Sequence, residues 1–549
     1  MYPKSTVVMV KLLIPPLPPL FLFAIMWKHA FSLSKAEVQA ATPPGTIKIF
    51  HEEETGHASG FIKFPRPSAD ARDPLNFSRG RKTGALIVAS VFAFVANFTS
   101  SVIAPALQLW PMAFPNDPRT YAQRSYLIAV HVLFLGVSNI VWVPLSNWLG
   151  RRPTLLMATL LITLSSVWCG LATSYNSLIA ARILQGFGGG AADTVAPALI
   201  GDLYFVHERG RAMALYTVML CVGPVGGGLA GGYIAFQRGW AATFWVSTAL
   251  SGLCLLGVAL LVPETLFQRP DVPAEAGPEI SDEKHAMAEQ IENPESTPRT
   301  EQLSFVKSLG FTSPQGNLFH HLKQPWHAAA LPGTWVVMLH YAGLVGGIVT
   351  ISTIGAQLMA SPPYSWGPNA GLINIGSLIG AAVGWAYTHL LSDSRLKSQA
   401  KRKQGGLAEA EDRLPTMFLP LAIATGGFFV FGFCADSPGG TRWVGLQVGY
   451  GMVTFGLMQV PSVGFNYLID SYGPRAADCF TVVTILRSIV AFAWTFFAAE
   501  WIHDKGAAEP FGIFGMLMGL FGLLTVPLWM YGKRMRIATE EKVRRWNSV

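Results

Sequence analysis

Apolar and polar positions fall in long alternating blocks along this chain: twelve mostly apolar runs follow one another between residues 85 and 532, separated by polar connections. About 20 apolar residues cross the hydrocarbon core of a bilayer as one helix. The pattern therefore predicts spans over 85–107, 125–146, 153–174, 178–203, 212–235, 241–262, 331–357, 368–391, 415–434, 443–469, 477–500 and 511–532. The fold class this implies is an all-α membrane protein of twelve transmembrane helices.

The connections differ in charge. Those after even-numbered spans carry Arg151 and Arg152, Arg209 and Arg211, Arg395 with Lys397, Lys401, Arg402, Lys403 and Arg413, and Arg475. Those after odd-numbered spans carry Arg119 with Arg124, Arg238, Arg442 and Lys505. Positive residues stay on the cytoplasmic side, so both termini are expected in the cytosol. Arg79, Arg81 and Lys82 before the first span, and Lys533, Arg534 and Arg536 after the last, agree.

This gives an expected organisation of a cytoplasmic N-terminal region (1–84), a six-helix half (85–263), a cytoplasmic linker (264–330), a second six-helix half (331–532) and a cytoplasmic tail (533–549). The linker is dominated by Pro, Glu, Ser and Gln and is expected to be mostly disordered; residues 304–311 have a weak amphipathic pattern suited to the membrane surface. Residues 7–27 are apolar but contain Pro15, Pro16, Pro18 and Pro19, each of which removes a backbone donor. That segment is expected to have no transport role. Leu145-Ser146-Asn147 before Arg151 is echoed by Leu391-Ser392-Asp393 before Arg395, and repeated halves point to a transporter with its site between them.

Composition narrows the function class. Hydrophobic residues make up 51% of the chain and charged residues 13%, too little charge to solvate a globular surface of this size. The net charge of +8 sits in loops that face anionic lipid, so the lipid bilayer and not nucleic acid is the expected partner of the charge. Cys169, Cys221, Cys254, Cys434 and Cys479 lie in or at the ends of spans without paired spacing and read as small core residues. There is no metal-ligand cluster, phosphate-cradling loop or nucleophile motif, so neither an enzyme nor a cofactor or metal is expected. His320 and His321 in the linker read as solvated.

Ionisable groups inside a bilayer are costly, and each is a functional hypothesis. The fourth span holds Arg182 and Asp193, eleven residues or about three helical turns apart, on one face and roughly 16 Å from each other. Each must find partners elsewhere. One reading has Arg182 tying helices together through backbone carbonyls and Asp193 capping a turn before Pro197. The other has Asp193 as a carboxylate that exchanges protons or pairs with a cation, with Arg182 beside the route. Asp193→Asn is expected to keep the fold, because it removes a charge from lipid. Gly186 and Gly190 in this span, and Gly223, Pro224, Gly227 and Gly228 in the fifth, allow close helix approach and a bend, a gating or packing role. Asn97, Gln185, His340 and Asn374 are candidate substrate contacts; His131 and His340 also read as packed, hydrogen-bonded histidines. Arg487 is expected to bond within its own half.

Several motifs carry a family resemblance. Asn147-Trp-Leu-Gly150-Arg151-Arg152-Pro153 resembles the loop between the second and third spans of the major facilitator superfamily; Arg182 to Gly190 looks like its fourth-span arginine motif, and Gly223 to Gly228 is similar to its fifth-span antiporter motif. Asp73 to Ser78, Gly201 to Gly210, Pro263-Glu264-Thr265 and Asn466 to Tyr472 resemble a fungal branch that includes multidrug, secondary-metabolite and polyamine transporters. Two positions depart from the pattern: Asn147 stands where Asp is usual, and Met219 where Gly is usual.

The resemblance implies a twelve-span drug:proton antiporter type in a plasma membrane, or a vacuolar or other internal one, acting as a monomer. Its expected partners are protons and a small organic substrate, xenobiotic or secondary metabolite, exported by alternating access. The rival readings are an importer or exchanger of polyamines or other organic cations, and a transporter-like nutrient sensor.

Overall fold

The computed structural model describes residues 68, 70–267, 309–310, 316–402 and 407–547, with 32, 37–38, 41 and 47–48; the side chains of 47–48, 113, 121, 206–207, 209–210, 389–408, 474 and 541–547 are excepted. The apolar segment 7–27, nearly all of the stretch 304–311, most of the linker, and the side chains of Asp393, Arg395, Lys397, Lys401, Arg402 and Lys403 lie outside the described residues.

Eleven helical stretches among the described residues are long and apolar enough to cross a membrane. Span 1 is Arg79–Ser101, span 2 is Tyr121–Val137 continued by Asn139–Leu149, span 3 is Arg151–Leu171, span 5 is Val206–Arg238 and span 6 is Trp240–Leu261. Span 7 is Pro332–Ala360, span 8 Asn374–Arg402, span 9 Phe418–Asp436 and span 10 Arg442–Leu457 continued by Phe465–Tyr472. Span 11 is Ala476–Lys505, and span 12 is Ala508–Leu523 continued by Thr525–Asn547.

Span 4 differs from the uninterrupted helix expected over 178–203. It forms two shorter helices, Tyr175–Gly189 and Ala191–Leu203, joined through Gly190 in right-handed helical backbone. Glycines 186, 188, 189 and 190 supply no side chain to stabilise the ladder there. Span 1 starts earlier than expected because its basic turn is helical, with Lys82 Nζ donating to the Leu75 carbonyl at 3.0 Å. It ends earlier because Pro105 opens a separate 3-10 turn, Pro105–Leu109.

Local chemistry sets the corners. Thr120 and Gln123 form a capping box at the start of span 2. Gly150, Gly239 and Gly506, at φ of +113°, +86° and +79°, turn the chain between spans 2 and 3, 5 and 6, and 11 and 12 in a region that side chains disfavour.

The helices gather into two six-helix halves. Buried apolar residues from Ala328 to Met535 form one core cluster, while those from Phe77 to Val262 form two clusters in the first half, one of which also takes in Ala491 of the second. Leu253, Leu256 and Leu260 on span 6 are all more than half exposed, and their spacing of three and four residues makes an outward apolar stripe fit for lipid. One antiparallel pair of two-residue strands, Ile47–Lys48 with Leu407–Ala408, is the described exception to an all-helical chain.

Candidate functional site

Between the halves lies a cavity of about 90 Å³. Asn97, Ser100 and Pro224 line it from the first half, and Tyr341, Ser352, Tyr450 and Arg487 from the second. Its volume is below the roughly 300–1,000 Å³ of ordinary small-molecule pockets, so the halves stand close together in this arrangement.

The end of the cavity away from Arg151 is closed by direct contacts between halves. Tyr126 of span 2 stacks on Phe496 of span 11, with ring centroids 4.4 Å apart. Gln108 Nε2 donates to the Ala356 carbonyl at 3.2 Å, and Tyr233 Oη donates to Asn369 Oδ1 at 2.8 Å. Toward the Arg151 end the halves are joined by a charge pair. Nη2 of Arg487 on span 11 donates to Oδ2 of Asp193 on span 4, and both side chains are buried, at 8% and 4% exposed. The Arg487 guanidinium also lies over the Tyr341 ring, 4.5 Å from its centroid. Asp193 Oδ1 and Arg487 Nε have no hydrogen-bond partner within the protein. Arg487 therefore does not bond within its own half as expected. It reaches across, because a buried acid and a buried base are both desolvated and gain most from each other.

Arg182 and Asp193 are not brought together. Fully buried Arg182 donates to the carbonyls of Leu127 (3.0 Å), Thr99 (2.7 Å) and Ser100 (3.0 Å) and to Gln185 Oε1 (2.6 Å). It ties spans 1, 2 and 4 inside the first half. Gln185 completes that knot by donating to Ser166 Oγ at 2.8 Å and does not line the cavity.

The other candidate contacts divide. Asn97 lines the cavity, while its amide donates to the Ala93 carbonyl at 3.0 Å. Asn374 sits one layer behind the wall, where Tyr450 Oη at 3.3 Å and Ser352 Oγ at 3.4 Å donate to its Oδ1. His340, expected at the cavity, faces span 12 instead, with Nε2 2.8 Å from the Phe521 carbonyl and 3.2 Å from Thr525 Oγ1. A buried imidazole gains more from those oxygens than from an apolar wall.

The glycine positions mark close approach. A Cβ on Gly223 would meet the Phe94 carbonyl at 2.6 Å and one on Gly227 would collide with the Phe98 carbonyl, so span 5 packs backbone to backbone on span 1. Gly228 lies against Asn374 of the other half, and Gly186 and Gly190 lie against span 2. Pro224 stays within a continuous helix.

At the Arg151 end, the loop motif meets a partner whose role the sequence reading did not anticipate. The Glu264 carboxylate, after span 6, accepts from the backbone N–H of Arg151 at 2.9 Å and of Arg152 at 3.2 Å, capping the first turn of span 3. Arg151 pairs with Asp202 at 3.2 Å and donates to Asn147 Oδ1 at 2.5 Å, so the amide at 147 still serves as acceptor. Arg152 donates to the Ala259 carbonyl at 2.9 Å. The second half has its own cluster, in which Arg536 pairs with Glu411 at 2.8 and 2.5 Å, Arg413 with Asp470 at 3.2 Å and Lys533 with Glu409 at 2.8 Å.

The Major Facilitator Superfamily model matches residues 89–495. Among curated proteins, the chain is 28% identical over 522 residues to the MFS-type transporter tndD of Aspergillus flavipes, covering 91% of this chain and 90% of that one. It is 25% identical over 475 residues to the efflux pump vrtL of Penicillium aethiopicum, covering 85% and 88%. In fold it is similar to the xylose transporter XylE of E. coli in a partially occluded inward open conformation, with a TM-score of 0.55, 14% identity, and coverage of 82% and 99%. The chain belongs to the Major Facilitator Superfamily: it is a multi-pass membrane transporter, not an enzyme.

Proposed function

We propose that this transporter exports a small organic compound across the plasma membrane by alternating access, with Asp193 as the group that takes up and releases the coupling proton. The observation that carries the reading is the Asp193–Arg487 pair, a buried carboxylate and guanidinium on opposite halves. Asp193 lies ten residues from Leu203, whose neighbour Asp202 pairs with Arg151, so the pair sits nearer the Arg151 end. With that end in the cytosol, an ionised Asp193 holds the inner side of the cavity shut. A proton on Asp193 removes the charge attraction and leaves Arg487 seeking water, which favours inward opening. Protons entering from outside then reset the empty carrier inward, and their release inside restores the pair once substrate is loaded. That order of events is export in exchange for protons.

The similarity to the efflux pump vrtL supports export. Asp193 does not line the cavity and is already neutralised by Arg487, which speaks against a polyamine-type cation bound on that carboxylate. Inside-out vesicles with an acidic lumen should accumulate a labelled exported compound and lose it when a protonophore collapses the gradient. Equal accumulation with and without the gradient contradicts the coupling.

A further inference from the structure

The charge inventory of the cavity selects among substrates. Of its described lining residues only Arg487 is charged, and none carries a carboxylate. Asp193 already neutralises that one charge, so an added cation would meet a guanidinium and no counter-ion, and an added anion would compete with the Asp193 carboxylate for the same guanidinium.

The hydrogen-bond inventory is equally one-sided. Ser100 Oγ donates to the Asn97 carbonyl at 2.7 Å, Thr353 Oγ1 to Val349 at 2.8 Å, Thr454 Oγ1 to Tyr450 at 3.0 Å, and the Asn97 amide to Ala93 at 3.0 Å. These hydroxyl donors, and one N–H of the Asn97 amide, are spent on backbone, which leaves mainly oxygen lone pairs facing inward. Two donors differ: the Tyr341 hydroxyl, and Arg487 Nε, a buried N–H of a charged group without a partner in the protein, on a side chain that lines the cavity. A buried donor of a charged group gains substantially from one good acceptor.

We infer that the cavity takes a neutral, largely apolar compound bearing a carbonyl-type acceptor, which Arg487 Nε binds while Nη2 stays on Asp193. Arg487 is thus the residue that sets specificity, against organic cations and in favour of uncharged carbonyl compounds. The inference rests on the proposed transport reading for the use of the cavity. Its test needs no proton gradient, so failure of substrate class and failure of coupling are separable.

The test measures binding of three matched probes, 2-naphthamide, 2-naphthylmethylamine and 2-naphthoate, to the purified full-length protein through ligand-induced shifts in melting temperature. The carboxamide should bind at least about tenfold tighter than the amine or the carboxylate, the discrimination one charge-assisted hydrogen bond supplies. Arg487→Lys keeps a cation for Asp193 but lacks Nε, and should weaken carboxamide binding about tenfold. The double change Asp193→Asn with Arg487→Met removes both charges together and protects the fold if the lysine variant is unstable; it should abolish the preference for carboxamide over amine. The inference is overturned if the amine or carboxylate binds as tightly as the carboxamide, if none of the three binds, or if the variants bind the carboxamide unchanged.

Discussion

Asp193 and Arg487, 294 positions apart in sequence and on opposite halves of the molecule, share one buried hydrogen-bonded ion pair. Each half presents a buried charge that the other half neutralises, so parting the halves at this point would strand both charges.

The pair reverses the expectation that Asp193→Asn is harmless to the fold. Removing one partner leaves the other charge buried and uncompensated, at a cost of about 3–5 kcal/mol. Asp193→Asn should therefore lower the melting temperature in detergent, and adding Arg487→Gln should recover most of the loss. Additive losses in the double variant would mean that the two residues do not act as a pair.

Gly227→Ala should already impair transport and lower the yield of folded protein, because a Cβ there collides with the Phe98 carbonyl. Gly227→Leu should be worse. Gly201→Ala is the control, since a Cβ at Gly201 meets nothing within 4 Å, and it should be neutral or slightly stabilising. Comparing surface expression and transport across the three variants decides whether the contact between spans 5 and 1 is needed.

Glu264→Ala should destabilise the Arg151 end by about 1–2 kcal/mol, the usual worth of a helix N-terminal acceptor. Glu264→Gln should lose less, because one oxygen remains to accept from Arg151. Thermal unfolding of both variants tests this, and equal effects would point to charge and not capping as the contribution.

Placement of the Arg151 end in the cytosol predicts that Phe319→Cys, at a 70% exposed position, escapes an impermeant thiol reagent in intact cells and reacts after permeabilisation. Thr441→Cys, in the connection after span 9, should react in intact cells. Both belong in a Cys221→Ser, Cys434→Ser background, because Cys221 and Cys434 are both partly exposed. The reverse pattern would invert the topology.

Much of this architecture was legible in the sequence because lipid imposes a simple rule: long apolar runs make spans. The close approach at Gly223 and Gly227 was readable because small residues let neighbouring backbones meet in lipid. What escaped was pairing over long sequence distance. Arg487 is one base in a long apolar span, and nothing local says whether it satisfies itself within its half or across the interface. Asp193 posed the complementary question, and matching the two unassigned intramembrane charges of opposite sign was the available signal. Glu264 stood inside a recognised string, Pro263-Glu264-Thr265, but its capping of span 3 depends on the 113-residue fold-back that brings it to Arg151. His340 misled because depth in the membrane is readable from sequence, whereas the face a ring turns to depends on which carbonyl lies nearby.

Cys221 lines the cavity, so its reaction with a small impermeant thiol reagent applied to the Arg151 side of inside-out vesicles reports opening at that end. With each rate divided by that of a small free thiol at the same pH, because only the thiolate reacts, the Asp193–Arg487 account predicts slow labelling at pH 7.5 in the parent, faster labelling at pH 5.5, and fast labelling at both pH values in Asp193→Asn. Labelling rates in the parent that ignore pH, or an Asp193→Asn variant indistinguishable from the parent, would contradict it.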